Sequence, residues 1–174
     1  NSPSFKNNIW VIGDSYTSIF NERWTGHIVD SFSIDELLIC GNPGAGSEEM
    51  YGELQKCLNF GAPKYLVWCL GMNDTTDVHN QFVDNILSLC SNNGITPIIA
   101  TIPSVPTINN EAKNLYSKSK NVRIVDFALG VNASPDGVWY EGCLSSDGIH
   151  PTELGAKALA ARFLIDVSEV LANL

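Results

Sequence analysis

Ser15 stands at the end of an apolar run, in Ile9-Trp10-Val11-Ile12-Gly13-Asp14-Ser15. A run that stops at a glycine and then offers a serine can present a nucleophile on a tight turn. A helix starting just beyond would aim its N-terminal N–H groups at a developing negative charge. The other reading is an ordinary turn in which Ser15 or Asp14 caps that helix. A serine nucleophile needs a base, and a carboxylate that fixes the tautomer of the base. Asp147 and His150, in Asp147-Gly148-Ile149-His150, offer both from one loop. Taken alone, that pair is equally well a turn aspartate and a solvent-exposed histidine.

The same chemistry needs donors for an oxyanion. Gly71-Met72-Asn73-Asp74 follows the apolar run Tyr65 to Leu70, and an Asn amide there can donate to a developing oxyanion. It also reads as a plain strand-ending turn, and Asn73-Asp74-Thr75 is a glycosylation sequon whose use would block that role. Gly41-Asn42-Pro43-Gly44-Ala45-Gly46-Ser47 is a glycine-rich turn that can aim backbone N–H groups into a site. It is neither a P-loop nor a dinucleotide fingerprint. The α/β-hydrolase elbow G-x-S-x-G is not met, because Thr17 stands at its last position. His27, His79 and His150 are scattered with no H-E-x-x-H, so no metal or cofactor is implied.

These residues need a frame. Apolar runs of strand length recur at Ile9 to Ile12, Glu36 to Ile39, Tyr65 to Leu70, Thr96 to Ile102 and Val122 to Phe127. They do not alternate, as expected of strands covered on both faces. Stripes of helical period lie between them: Met50, Leu54, Cys57 and Leu58, then Phe82, Ile86, Leu89 and Cys90. Thr152 to Leu174 is expected to be one helix starting directly after His150, with Leu159, Phe163, Val167, Val170 and Leu174 along one stripe. The longest irregular stretch, Gly130 to Ile149, contains Pro135 and ends on the Asp147–His150 pair; a loop of that length is more often functional than accidental. Alternating strands and helices predict an α/β domain with a parallel sheet. All four motifs would then fall on the edge where open parallel sheets bind ligands.

At 174 residues the whole chain, 1–174, reads as a single domain. The 19 acidic and 10 basic residues give a net charge of −9, which disfavours nucleic acid and anionic membranes as partners. No apolar run approaches the ~18 residues of a membrane span. Five cysteines without a C-x-x-C pair read as buried or idle thiols, with Cys40 and Cys69 serving as small core hydrophobes. The chain begins at Asn1 rather than Met, as a mature product or a trimmed piece would, so the compartment is left open.

Together the four blocks resemble the SGNH hydrolases, also called GDSL esterases and lipases. They stand in that family's order: Gly13-Asp14-Ser15, the turn around Gly44, Gly71-Met72-Asn73-Asp74, and Asp147-Gly148-Ile149-His150-Pro151. The resemblance implies a three-layer, flavodoxin-like α/β/α fold with about five parallel strands in order 2-1-3-4-5. It implies Ser15 as nucleophile, His150 as general base and then acid, and Asp147 as its orienting carboxylate. The oxyanion hole would consist of the backbone N–H groups of Ser15 and Gly44 and the Asn73 side chain, with Gly46 as the other candidate for the second donor.

The expected activity is hydrolysis of a carboxylic ester through an acyl-enzyme. Trp139 and Tyr140, beside Glu141 in the loop before Asp147, are candidates to stack on a sugar or else to anchor the loop. With the family's habits they lean the substrate towards a short acyl group, such as acetyl, on carbohydrate. A lysophospholipase or short-chain lipase, an acyltransferase using the same acyl-enzyme, and a non-catalytic carbohydrate-binding domain are the other readings. Oligomeric state is not legible.

Overall fold

Each of the five apolar runs forms a strand: β1 Ile9–Gly13, β2 Leu37–Gly41, β3 Tyr65–Cys69, β4 Thr96–Ala100 and β5 Arg123–Val125. They were located in a computed structural model that describes residues 7–18, 23–33, 35–132 and 137–173. Pro135 of the long loop and Leu174 of the last helix lie outside these residues. The strands make one all-parallel sheet in the order β2-β1-β3-β4-β5, with Gly13 level with Gly41 on one side and Cys69 on the other. The expected fold class and strand order are therefore observed.

The unbroken apolar runs have a simple cause. Along β1, Ile9 and Val11 enter one core with Val67, Ile98 and Val125, while Trp10 and Ile12 enter a second with Leu66, Trp68 and Ile99. Both faces are buried, so polar residues have no place in the alternation. The second core is closed by Met50 and Leu54 of α1 (Ser47–Cys57) and by Ile86, Leu89 and Cys90 of α2 (Thr76–Asn93). These are the two stripes read from the sequence. The first core is closed by Trp24 of a short 3-10 segment and by Phe127, Leu159 and Phe163. Helix α3 (Glu111–Lys118) packs beside α2, and α4 (Phe127–Val131) begins where the fifth apolar run was expected to continue. Asp126 ends that strand by accepting the Leu129 N–H as an N-cap.

The last segment is not one helix. It begins at Glu153, with Thr152 as the cap that accepts the Gly155 N–H, and it breaks at Val167 into α5 (Glu153–Asp166) and α6 (Ser168–Ala172). The break has a visible cause. The Asp166 carbonyl accepts from the Arg123 guanidinium at 3.2 Å, and its carboxylate accepts the Asp126 N–H at 2.7 Å. The sheet edge thus caps the helix with a cation from β5. No described helix is long and apolar enough to cross a membrane.

Candidate active site

Ser15 leaves the carboxyl end of β1 in one turn of backbone, where the N–H groups of Thr17 and Ser18 donate to the Asp14 carbonyl at 3.1 and 3.0 Å. The expected helix start is absent among the described residues: residues 14–18 form turns and bends. Asp14 Oδ1 accepts the Tyr16 N–H at 3.1 Å, a side-chain turn that competes with helix formation. The turn folds back on the ends of two strands. A Cβ on Gly13 would stand 2.2 Å from Thr17 Oγ1, and one on Gly41 would stand 2.6 Å from Ser18 N. Only glycine at both strand ends admits this turn.

His150 reaches Ser15 from the far end of the chain, its Nε2 lying 2.8 Å from Ser15 Oγ. Its Nδ1 lies 2.7 Å from Asp147 Oδ2. The loop carrying them is stapled at its base, where Leu144 pairs with Pro151 and the Ser145 N–H donates to the His150 carbonyl at 2.9 Å. Asp147 Oδ1 accepts from the backbone N–H groups of Ile149 and His150, each at 2.8 Å, and from the Ser145 hydroxyl at 2.7 Å. These donors, led by the two backbone amides of His150 and Ile149, hold the Asp147 carboxyl well below the usual range. An ionised Asp147 can only accept, so the Nδ1 proton is directed to it and Nε2 presents its lone pair to Ser15.

Asp14 sits beside this group in the opposite condition. It is 2% exposed, and burial pushes its carboxyl from 3.8 up to about 7, with the Asp74 carboxylate adding to the rise and the Tyr16 amide and His150 opposing it. Tyr16, which the sequence reading passed over, ties the Ser15 turn to the histidine loop. Its hydroxyl donates to the Ile149 carbonyl at 2.6 Å, and its ring centroid lies 5.6 Å from that of His150. An aromatic residue directly following the serine was the available signal.

The other two motifs meet on the same edge of the sheet. Asn42-Pro43-Gly44-Ala45 is a β-turn closed by the Ala45 N–H on the Asn42 carbonyl at 3.2 Å. Gly44 has φ of +74° and follows proline, the residue pair that a type II turn demands. Gly46 has a separate task as the N-cap of α1. Asn73 Nδ2 donates to the Ala45 carbonyl at 3.0 Å, which uses one of its two N–H bonds and joins the two turns. The Asp74 carboxylate joins them again, accepting the Ser47 N–H at 3.0 Å and bonding the Ser47 hydroxyl.

The aromatic candidates separate from this group. Trp139 is only 7% exposed, and its indole N–H donates to the Ser104 carbonyl at 2.7 Å. It anchors the loop to the core and has no face to offer a sugar, which corrects the stacking role considered for it. Tyr140 is 52% exposed and lines a groove of about 440 Å³ with Leu115, Leu129 and Asn132, a groove that includes none of Ser15, Asp147 and His150. The five cysteines are free, and burial raises the pKa of each, to about 12 for Cys90.

No family model and no curated protein matches the chain. Solved structures do match it. A GDSL-like lipase from Bacteroides thetaiotaomicron superposes with a TM-score of 0.76 at 16% identity, over 95% of this chain and 89% of that one. An acetylxylan esterase from Geobacillus stearothermophilus superposes with a TM-score of 0.72 at 14% identity, over 95% of each chain. An alpha/beta hydrolase enzyme from the metagenome of Lake Arreo, Spain, gives a TM-score of 0.70 at 17% identity, over 95% of this chain and 96% of that one. At these identities the likeness establishes a shared fold.

Proposed function

We propose that the chain is a serine ester hydrolase of the SGNH type that works through an acyl-enzyme on Ser15. The observation that carries this reading is the unbroken hydrogen-bond line from Ser15 Oγ to His150 Nε2 at 2.8 Å and from His150 Nδ1 to Asp147 at 2.7 Å. As Ser15 Oγ attacks an ester carbonyl, His150 Nε2 takes its proton, and the ionised Asp147 stabilises the imidazolium. The carbonyl oxygen becomes an oxyanion facing the N–H groups of Ser15 and Gly44 and the remaining Asn73 N–H. Collapse breaks the bond to the alcohol, which leaves with the proton from His150. Water, deprotonated in turn by His150, then releases the acid and restores Ser15.

The acyl group on this reading is short, acetyl in the first instance, and the alcohol part is a carbohydrate. The small cavity of about 20 Å³ lined by Asp14, Tyr16, Cys69 and Met72 among others includes none of Ser15, Gly44, Asn73 and His150, so it sets no limit on the acyl group. What supports the short acyl group and the carbohydrate is the likeness to a structurally similar acetylxylan esterase. The test is a panel of acetylated sugars, longer acyl esters and lysophospholipid, run with wild type and Ser15→Ala. Acetyl esters should turn over fastest, and the variant should keep its fold and lose turnover by several orders of magnitude. Preference for long chains would reverse the substrate assignment, and near-normal activity of Ser15→Ala would remove the mechanism. Adding an alcohol acceptor to the same assay distinguishes transfer from hydrolysis.

A further inference from the structure

Lys113 is a buried cation that the mechanism above does not use. It lies on α3 with 3% of its surface exposed, and burial lowers the pKa of its ammonium, against the pull of the nearby Asp74 carboxylate. A buried ammonium is costly unless it is well paired, and an apolar side chain would fill such a site at lower cost. What Lys113 gains is specific. Its Nζ donates to the Gly71 carbonyl at 2.8 Å and to the Asp74 carbonyl at 2.6 Å.

These two carbonyls are the ends of one turn. The Asp74 N–H closes that turn on the Gly71 carbonyl at 3.2 Å, with Met72 and Asn73 at its centre. The ammonium therefore grips a four-residue turn at its first and last carbonyl, while Asn73 at its centre bonds the Ala45 carbonyl. The helix that carries Lys113 is itself fixed. The Asn114 carboxamide accepts the Ile102 N–H and donates to the Ile102 carbonyl, both at 2.8 Å, just beyond β4. Asn110, at its N-cap, donates to the Pro103 carbonyl at 3.2 Å and reaches Met72 Sδ at 3.7 Å. The sheet thus holds α3, and α3 holds the turn.

We propose that Lys113 is a positioning residue for the oxyanion site, fixing the Gly71–Asp74 turn so that Asn73 Nδ2 stays aimed at the developing oxyanion. The inference rests on the ester-hydrolase reading for its catalytic part, while the clamp itself rests on geometry. A donor displaced by about 1 Å loses on the order of 100-fold in rate, so release of the turn should cost about 10- to 100-fold in kcat.

The experiment is a double-mutant cycle of Lys113→Met and Asn73→Ala on an acetyl ester, with amide hydrogen exchange of residues 72–74 measured alongside. In the wild-type background Lys113→Met should lower kcat by that factor with KM changed less than about twofold, because the contact acts only on the transition state. In the Asn73→Ala background the same change should cost less than about twofold, since the group being positioned is gone. Full additivity would overturn the proposal, because a general structural role costs the same in both backgrounds. If Lys113→Met does not fold, Lys113→Gln, which keeps a shorter donor, is put through the same cycle and read by the same criteria. Exchange separates the two ideas. Faster exchange in the variant with no ester turnover by the wild type would sink the hydrolase reading and leave the clamp. Unchanged exchange with normal wild-type turnover would sink the clamp and leave the hydrolase reading.

Discussion

Two aspartates stand beside the Ser15–His150 hydrogen bond, Asp14 next to Ser15 in the chain and Asp147 on His150 Nδ1, yet their surroundings are opposite. Asp147 is half exposed, and both of its oxygens are occupied, Oδ1 by two backbone amides and the Ser145 hydroxyl and Oδ2 by His150. Asp14 is buried, and its Oδ1 accepts the Tyr16 amide. The first is held ionised; the second is pushed towards the neutral form near pH 7. One residue type therefore supplies a fixed charge on the histidine side and, on the serine side, a turn former whose charge is partly suppressed near pH 7. A fixed charge is what an imidazolium needs, whereas a second full charge beside Ser15 would oppose the oxyanion.

Asp147→Asn attacks the stronger half of this contrast. The carboxamide can still occupy the loop, but it can donate as well as accept, so His150 loses the tautomer that turns Nε2 towards Ser15. On the proposed mechanism kcat should fall by about 10³- to 10⁴-fold, with KM for an acetyl ester little changed. A loss under tenfold would show that Asp147 only shapes the loop. The same donors set a stability effect with a definite sign. Because the folded pKa of Asp147 is depressed, its contribution is present above the unfolded aspartate range and is lost as pH falls through that range and below. Acid unfolding of the Asn variant should therefore be less steep than that of wild type, and circular dichroism between pH 2 and 5 would measure it.

Asp14→Asn tests the other half, and here the sign reverses. Its folded pKa is raised from 3.8 to about 7, so between those values the unfolded chain ionises while the folded chain stays neutral. Wild type should lose stability from this group as pH rises through that window, by roughly 4 kcal/mol at the upper limit. Asparagine keeps an oxygen for the Tyr16 N–H and cannot ionise, so the variant should gain on wild type between pH 5 and 7.5 in urea midpoints. Activity at pH 6 should stay within about tenfold. An equal pH slope in the two proteins would place the Asp14 carboxyl in the ordinary range.

The five strands were legible in the sequence because burial on both faces leaves an uninterrupted apolar run, plainest at Ile9 to Ile12, whereas their order came from the family resemblance and the fifth run overran into α4. That Ser15, Asp147 and His150 come together was legible only from the four blocks taken jointly, since each turn taken alone reads as an ordinary glycine-marked turn. What the sequence did not reveal lies in contacts between distant segments. Arg123 capping Asp166 breaks the last helix, and Lys113 reaches the Gly71 turn from another helix. Trp139 failed as a substrate residue for a related reason: aromatic residues in a loop look the same in sequence whether they face solvent or anchor to a carbonyl such as that of Ser104. None of these leaves a periodic trace, so only the folded arrangement discloses them.

Tyr16→Phe probes the joint between the two halves and should give the smallest effect. The Tyr16 hydroxyl is the direct bond from the nucleophile turn to the Ile149 carbonyl, one residue before His150. Phenylalanine keeps the ring beside the imidazole and removes only that bond, at a cost of about 1 kcal/mol in stability. Because the histidine loop is stapled at its own base by Leu144 and Pro151 and by the Asp147 bonds, loss of the joint should loosen the Ser15–His150 distance without undoing the loop. The expected change is therefore about two- to fivefold in kcat, with KM for small esters and the acid limb of the pH profile unchanged. A drop as large as that of Asp147→Asn would mean that the loop depends on Tyr16 for its position. In that case the nucleophile turn and the histidine loop would have to be treated as one unit, and the contrast between the two aspartates would no longer separate their roles.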